Sequence, residues 1–136
     1  MKKIVWLLLT AAGLLFSADI VWQKDMQTAF ALAEKENKLV MVMVEGEHCR
    51  WCKKMRYRTL GDEGVIEKLQ KHYVSVRVDE LDKAAMKILP PVKGVPTIFF
   101  LYPNKKVIER VTGYYKADDF MSYLKEIDRK VWQVKE

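Results

Sequence analysis

Cys49 and Cys52, the two cysteines of this 136-residue chain, stand three positions apart in the stretch EHCRWCKKM, residues 47–55. Thiols at that spacing can exchange disulfides with other proteins, supply half of a metal site, or close a permanent cross-link. A cross-link over so short a gap removes little loop entropy from the unfolded chain, and a chain that is 50% apolar can build a core without one. A staple is therefore the weakest use of the pair. Haem attachment of the c type needs a histidine directly after the second cysteine, where this chain has Lys53. A zinc site wants four ligands, whereas the only histidines are His48 and His72. His48, adjacent to Cys49, could tune a thiolate or simply sit in an exposed loop, and His72 is assigned no chemical role. No cofactor is expected beyond the disulfide itself.

The elements that must position the pair follow from the spacing of apolar residues. Residues 25–38 place Met26, Ala29, Phe30 and Ala33 on one side of a helix that Asn37 can stop. LVMVMV, residues 39–44, has no polar face, the mark of a central strand covered on both sides. EGEH then turns the chain into a helix over 49–60, with Cys49, Cys52, Met55 and Thr59 near one face. A short helix over 61–72, a strand over 73–79 with Val74, Val76 and Val78 on one face, and a helix over 80–89 stopped by Pro90 and Pro91 come next. TIFFLYP and KVIERVTG form a hairpin around PNKK, and residues 116–132 close the chain as a helix striped by Phe120, Tyr123, Leu124, Ile127 and Val131. The fold class is α/β: a central mixed β-sheet with helices on both faces. In such sheets chemistry gathers at the carboxyl ends of the strands, which is where Cys49 falls.

At a helix start Cys49 faces unpaired backbone amides and the positive end of the helix dipole, which favour thiolate over thiol, and Arg50, Lys53 and Lys54 add positive charge. Cys49 is then the nucleophile. Cys52, one turn further in, is the resolving thiol that attacks a mixed disulfide.

A Cys-x-x-Cys helix after a buried strand, the stretch KGVPT at residues 93–97 before an antiparallel hairpin, and Gly113 between the last strand and the last helix together resemble the thioredoxin superfamily. The resemblance spans essentially all of the chain after residue 18, and HCRWCKKM with the later VRVDELD is most similar to exported proteins related to the C-terminal reductase domain of DsbD. It implies a thioredoxin fold, with Pro96 in the cis form beside the cysteines, Val95 pairing by its backbone with an extended substrate segment, and Thr97 completing the loop. From the residues alone Pro96 has the ordinary alternative of a strand-entry proline, which its spacing from Cys52 makes the lesser reading. The resemblance also implies disulfide-bearing protein substrates and a membrane thiol as electron donor, with the protein acting as a monomer.

Two departures from that family stand out. The buried acid usual six residues before the first cysteine is replaced by Met43, and Glu45 or Glu47 could substitute only from a loop where acids are commonly solvated. Arg50 and Trp51 stand where thioredoxin has Gly-Pro. Potentials in such proteins run from about −270 to about −120 mV, roughly 7 kcal/mol of dithiol–disulfide equilibrium, so two residues can separate a reductase from an oxidase. Trp51 could form an apolar substrate platform or pack against the body of the protein.

Residues 1–18 carry Lys2 and Lys3, an apolar run over 4–16, and the small Ser17 and Ala18, as a secretory signal does. The run is shorter than the ~20 apolar residues that span a bilayer, so cleavage and export, to a periplasm, are expected, leaving one thioredoxin-like domain over 19–136. Without Lys2 and Lys3 the 24 basic residues become 22 against 18 acidic ones, and the formal charge falls from +6 to +4. These basic residues are scattered and do not interleave with aromatics, so no nucleic-acid partner is expected. The rival to an enzyme is a binding module that keeps the fold and holds the cysteines in a fixed disulfide.

Overall fold

The computed structural model describes residues 19–132, and the expected signal segment 1–18 and residues 133–136 lie outside them. Five strands form one sheet in the order β1-β3-β2-β4-β5: β1 Trp22–Gln23, β2 Leu39–Glu45, β3 Tyr73–Asp79, β4 Thr97–Leu101 and β5 Val107–Thr112. β1, β3 and β2 are mutually parallel, while β4 runs antiparallel to both β2 and β5. Around it pack α1 Met26–Glu36, α2 Arg50–Lys54, α3 Glu63–His72, α4 Lys83–Met86 and α5 Ala117–Trp132.

The apolar run of β2 divides by period two between the faces of the sheet. Leu39, Met41 and Met43 join Met55 of the segment after α2, Val65 and Leu69 of α3, and Phe120, Leu124 and Ile127 of α5, whereas Val40, Val42 and Val44 join α1 residues and Val74, Val76 and Val78. A strand covered on both faces needs no polar side, which is why this one has none. The fully buried Phe99, Phe100 and Phe120 each contribute about 1.5–3 kcal/mol by leaving water.

The first helix begins where Asp25 accepts a 2.7 Å hydrogen bond from the Thr28 amide, and it stops at Asn37, whose left-handed φ of 54° lets its amide reach the Ala33 and Glu34 carbonyls. At the other end of the sequence α3 and α5 meet through Lys68 with Asp128 and through the rings of His72 and Trp132, 5.1 Å apart. Burial there holds the His72 pKa below its ordinary value, with the charges of Lys68, Lys71 and Lys38 acting in the same direction and Asp128 opposing.

Three elements differ from the sequence expectation. The two-residue β1 carries no periodic signal and exists by pairing with Ser75 and Val76 of β3. The helix expected over 80–89 is regular only over Lys83–Met86, because Asp79 and Asp82 cap and bend the chain with side-chain bonds to the amides of Leu81 and Ala85. The helix expected over 49–60 changes pitch: after α2 comes a π-helical turn, Met55–Thr59, closed by the Leu60 amide on the Met55 carbonyl at 2.9 Å. Gly61 permits the exit from that turn, since a Cβ there would lie 2.2 Å from the Tyr57 carbonyl oxygen.

Candidate active site at the end of the central strand

β2 delivers the chain to the site. After Glu45 the residues Gly46, Glu47 and His48 turn the backbone, His48 in the left-handed region at φ 55°, so that Cys49 caps α2. The Cys49 sulfur accepts from the Cys52 amide at 3.1 Å, and its carbonyl accepts from the Lys53 amide at 3.2 Å. Cys49 and Cys52 are joined as a disulfide, their Cα atoms 5.2 Å apart. Their surroundings differ: Cys49 is half-buried at the surface, whereas Cys52 is 2% exposed and packs into the core cluster that holds Met43 and Met55.

The loop before β4 lies against this turn. The Val95–Pro96 peptide bond is cis, and the Val95 side chain comes so close to Gly46 that a Cβ there would sit 3.0 Å from Val95 Cγ2. Cys49 and Val95 border the same apolar cluster. The Pro96 carbonyl accepts from the Gly113 amide at 2.8 Å, where Gly113 takes a φ of 90°, and the buried Thr97 donates its hydroxyl to the Gly94 carbonyl at 2.7 Å. The three stretches named from the sequence therefore meet at one end of the sheet.

Other positions fall differently from one another. His48 is 91% exposed on its side chain and lies 3.4 Å from the exposed Glu47. Met43 is fully buried, and among the described residues no Asp or Glu is buried with it. Glu45 is not a solvated loop acid. It is the last residue of β2, its side chain is 16% exposed, and Arg56 and Arg77 hold it at 2.6 and 3.2 Å. The π-helical turn is what carries Arg56 to Glu45 and sends the Thr59 hydroxyl inward to the Tyr115 carbonyl. Among the described residues no three His, Cys, Asp or Glu side chains gather as metal ligands.

Trp51 is 45% exposed beside the disulfide, with the ring of Tyr114 5.8 Å away and the Lys54 ammonium 4.8 Å from each ring centroid. Sequence reasoning missed Tyr114 and the part Lys54 plays. The i, i+3 spacing of Trp51 and Lys54 was a usable signal, but nothing local marks Tyr114 as their neighbour.

Comparison with known proteins bears on the whole unit. A model of the thioredoxin-like domain matches residues 26–128. The thiol:disulfide interchange protein DsbD of Yersinia enterocolitica is 32% identical over 108 residues, 76% of this chain and 19% of that protein. A solution structure of a thioredoxin from Thermus thermophilus superposes with a TM-score of 0.69 at 26% identity, over 80% of this chain and 87% of the other. The oxidised C-terminal domain of Neisseria meningitidis DsbD shares the fold, with a TM-score of 0.63 at 22% identity over 78% and 98% of the two chains. The chain spans less than two thirds of the length of the curated relatives it matches. Because the family match runs from α1 into α5 and so takes in β2 to β5, the cysteine helix and the loop of Pro96, the chain belongs to the thioredoxin-like family and is similar to DsbD.

Proposed function

We propose that the protein is an exported thiol–disulfide oxidoreductase that reduces or exchanges disulfides of other proteins. The observation that carries this is the unequal burial of the pair: Cys49 is open to a visiting sulfur and Cys52 is 2% exposed directly behind it. In the reduced protein the Cys49 thiolate attacks one sulfur of a partner disulfide, forming a mixed disulfide and expelling the partner's other sulfur as a thiolate. Cys52 then attacks the Cys49 sulfur. The second partner thiolate leaves, the proton of Cys52 passes to a departing sulfur, and Cys49–Cys52 is left oxidised by two electrons. The first-turn amides of α2 and the charges of Arg50, Lys53 and Lys54 favour the Cys49 thiolate, and Val95, Pro96 and Thr97 offer an extended partner segment a backbone to lie along.

Export to a periplasm is supported by the signal-like residues 1–18 and by the kinship with DsbD, and a membrane thiol would then return the pair to its reduced form. The protein would act as a monomer. Substitution tests the assignment: Cys52→Ser traps covalent partners and Cys49→Ser traps none, as read by non-reducing gels and mass spectrometry. Equal trapping by both variants would cancel these roles. A Cys49 whose alkylation rate follows pH as an ordinary exposed thiol's does would favour the binding module with a fixed disulfide.

A further inference from the structure

Around the disulfide one arrangement goes beyond what thiol exchange requires. The Lys54 ammonium sits over two neighbouring rings, 4.8 Å from the centroids of both Trp51 and Tyr114, and the Arg50 guanidinium lies 5.4 Å from the Trp51 centroid. Trp51 lies between the cysteines on α2, and Tyr114 follows β5, so the lysine links the active-site helix to a second loop. Among the described residues no carboxylate forms an ion pair with Arg50, Lys53 or Lys54. Ring faces hold a cation by their quadrupole and leave its charge unneutralised.

β3 and β5 stand on opposite sides of the β2–β4 pair, and both end at the edge where Cys49 lies. Tyr114 follows β5, whereas Glu80 follows β3 and reaches to Gly46, and the exposed Glu47 lies 3.4 Å from His48. Asp118 and Asp119 of the first turn of α5 follow Tyr114 closely, yet among the described residues neither forms an ion pair with Arg50, Lys53 or Lys54, so the basic side chains beside the disulfide are left without a carboxylate.

We propose that this rim selects partner proteins that carry Asp or Glu beside the exchanging disulfide, an apolar side chain lying on Trp51 and a carboxylate meeting Arg50 and Lys54. The proposal rests on the thiol-exchange function, and one experiment separates the two. The reduced full chain is mixed at pH 7 with two synthetic peptides that share an internal disulfide and differ only in acidic or basic flanks, and the rate of peptide reduction is followed. Reduction of the acidic peptide should be ~10-fold or more faster at low salt, and the ratio should shrink to about twofold or less near 0.5 M salt. Lys54→Glu should lower that ratio about fivefold or more and Lys54→Gln by less. Lys35→Glu, an equal change of net charge on α1 beside the opposite end of β2, should leave it unchanged. Equal rates for the two peptides, or equal effects of Lys54→Glu and Lys35→Glu, would overturn the proposal alone. Reduction of neither peptide by protein whose two thiols titrate as free would overturn the exchange function and the proposal with it.

Discussion

Cys49 and Cys52 are one helical turn apart and live in different media. The amide of Cys52 is already directed at the Cys49 sulfur, so the protein offers the charge that develops there a donor without rearrangement. Cys52, packed among Met43 and Met55, is sheltered from solvent thiols and reaches only the sulfur before it. Met43 makes this interior drier than the family pattern would, and the one acid close by along β2, Glu45, is committed to Arg56 and Arg77. Restoring an acid at this position should therefore be costly. Met43→Asp should lower unfolding stability by roughly 3 kcal/mol or more at neutral pH, read as a shift in the urea midpoint. The sign with pH is fixed: burial raises the carboxyl pKa of the folded state above that of the unfolded chain, so the deficit should be larger at pH 8 than at pH 5. A deficit independent of pH would mean that the new carboxylate has found a partner or water.

Among the elements, the segment that carries the cysteines is unusual in joining an α-turn to a π-turn. The change of pitch lets one short stretch serve two directions, Arg56 towards Glu45 at the end of β2 and Thr59 towards the Tyr115 carbonyl ahead of α5. These contacts tie the active-site helix to the strand that delivers it and to the loop that carries Tyr114. Gly61 is the hinge of the arrangement, because the Tyr57 carbonyl occupies the place where any side chain would begin. Gly61→Ala should cost more than about 2 kcal/mol by chemical denaturation, since backbone rather than a mobile side chain must give way. It should also slow thiol exchange. A change below about 0.5 kcal/mol would show that the turn relaxes freely.

For the whole molecule, the disulfide is a small addition to a core that does not depend on it. A loop of four residues gains only about 2 kcal/mol in the chain-entropy description, less than the burial of two large core side chains. The difference in stability between oxidised and reduced protein is, by linkage, the difference in reducing power between the folded pair and the same pair in an unfolded chain. A reductase therefore has the more stable oxidised form. We expect thermal unfolding of the oxidised protein at the higher temperature, with a difference of up to about 2 kcal/mol and unchanged secondary structure. A more stable reduced form would place the protein among oxidants and reverse the direction of electron flow proposed above.

The periodicities along the chain determined by themselves the order of most elements, the central place of residues 39–44, and the position of the cysteines where a buried strand passes into a helix. Those features are legible because a strand covered on both faces imposes an unbroken apolar run, and a helix covered on one face an apolar residue every three to four, on residues adjacent in sequence. The tertiary structure decided the rest. β1 exists only as a partner for β3, and Glu45 is an ion-paired strand residue because Arg56 and Arg77 arrive from other elements. Lys54 lies over Trp51 and Tyr114, two rings far apart in sequence that the ends of α2 and β5 bring together. Such approaches depend on how whole elements dock, and no local spacing of residues records them.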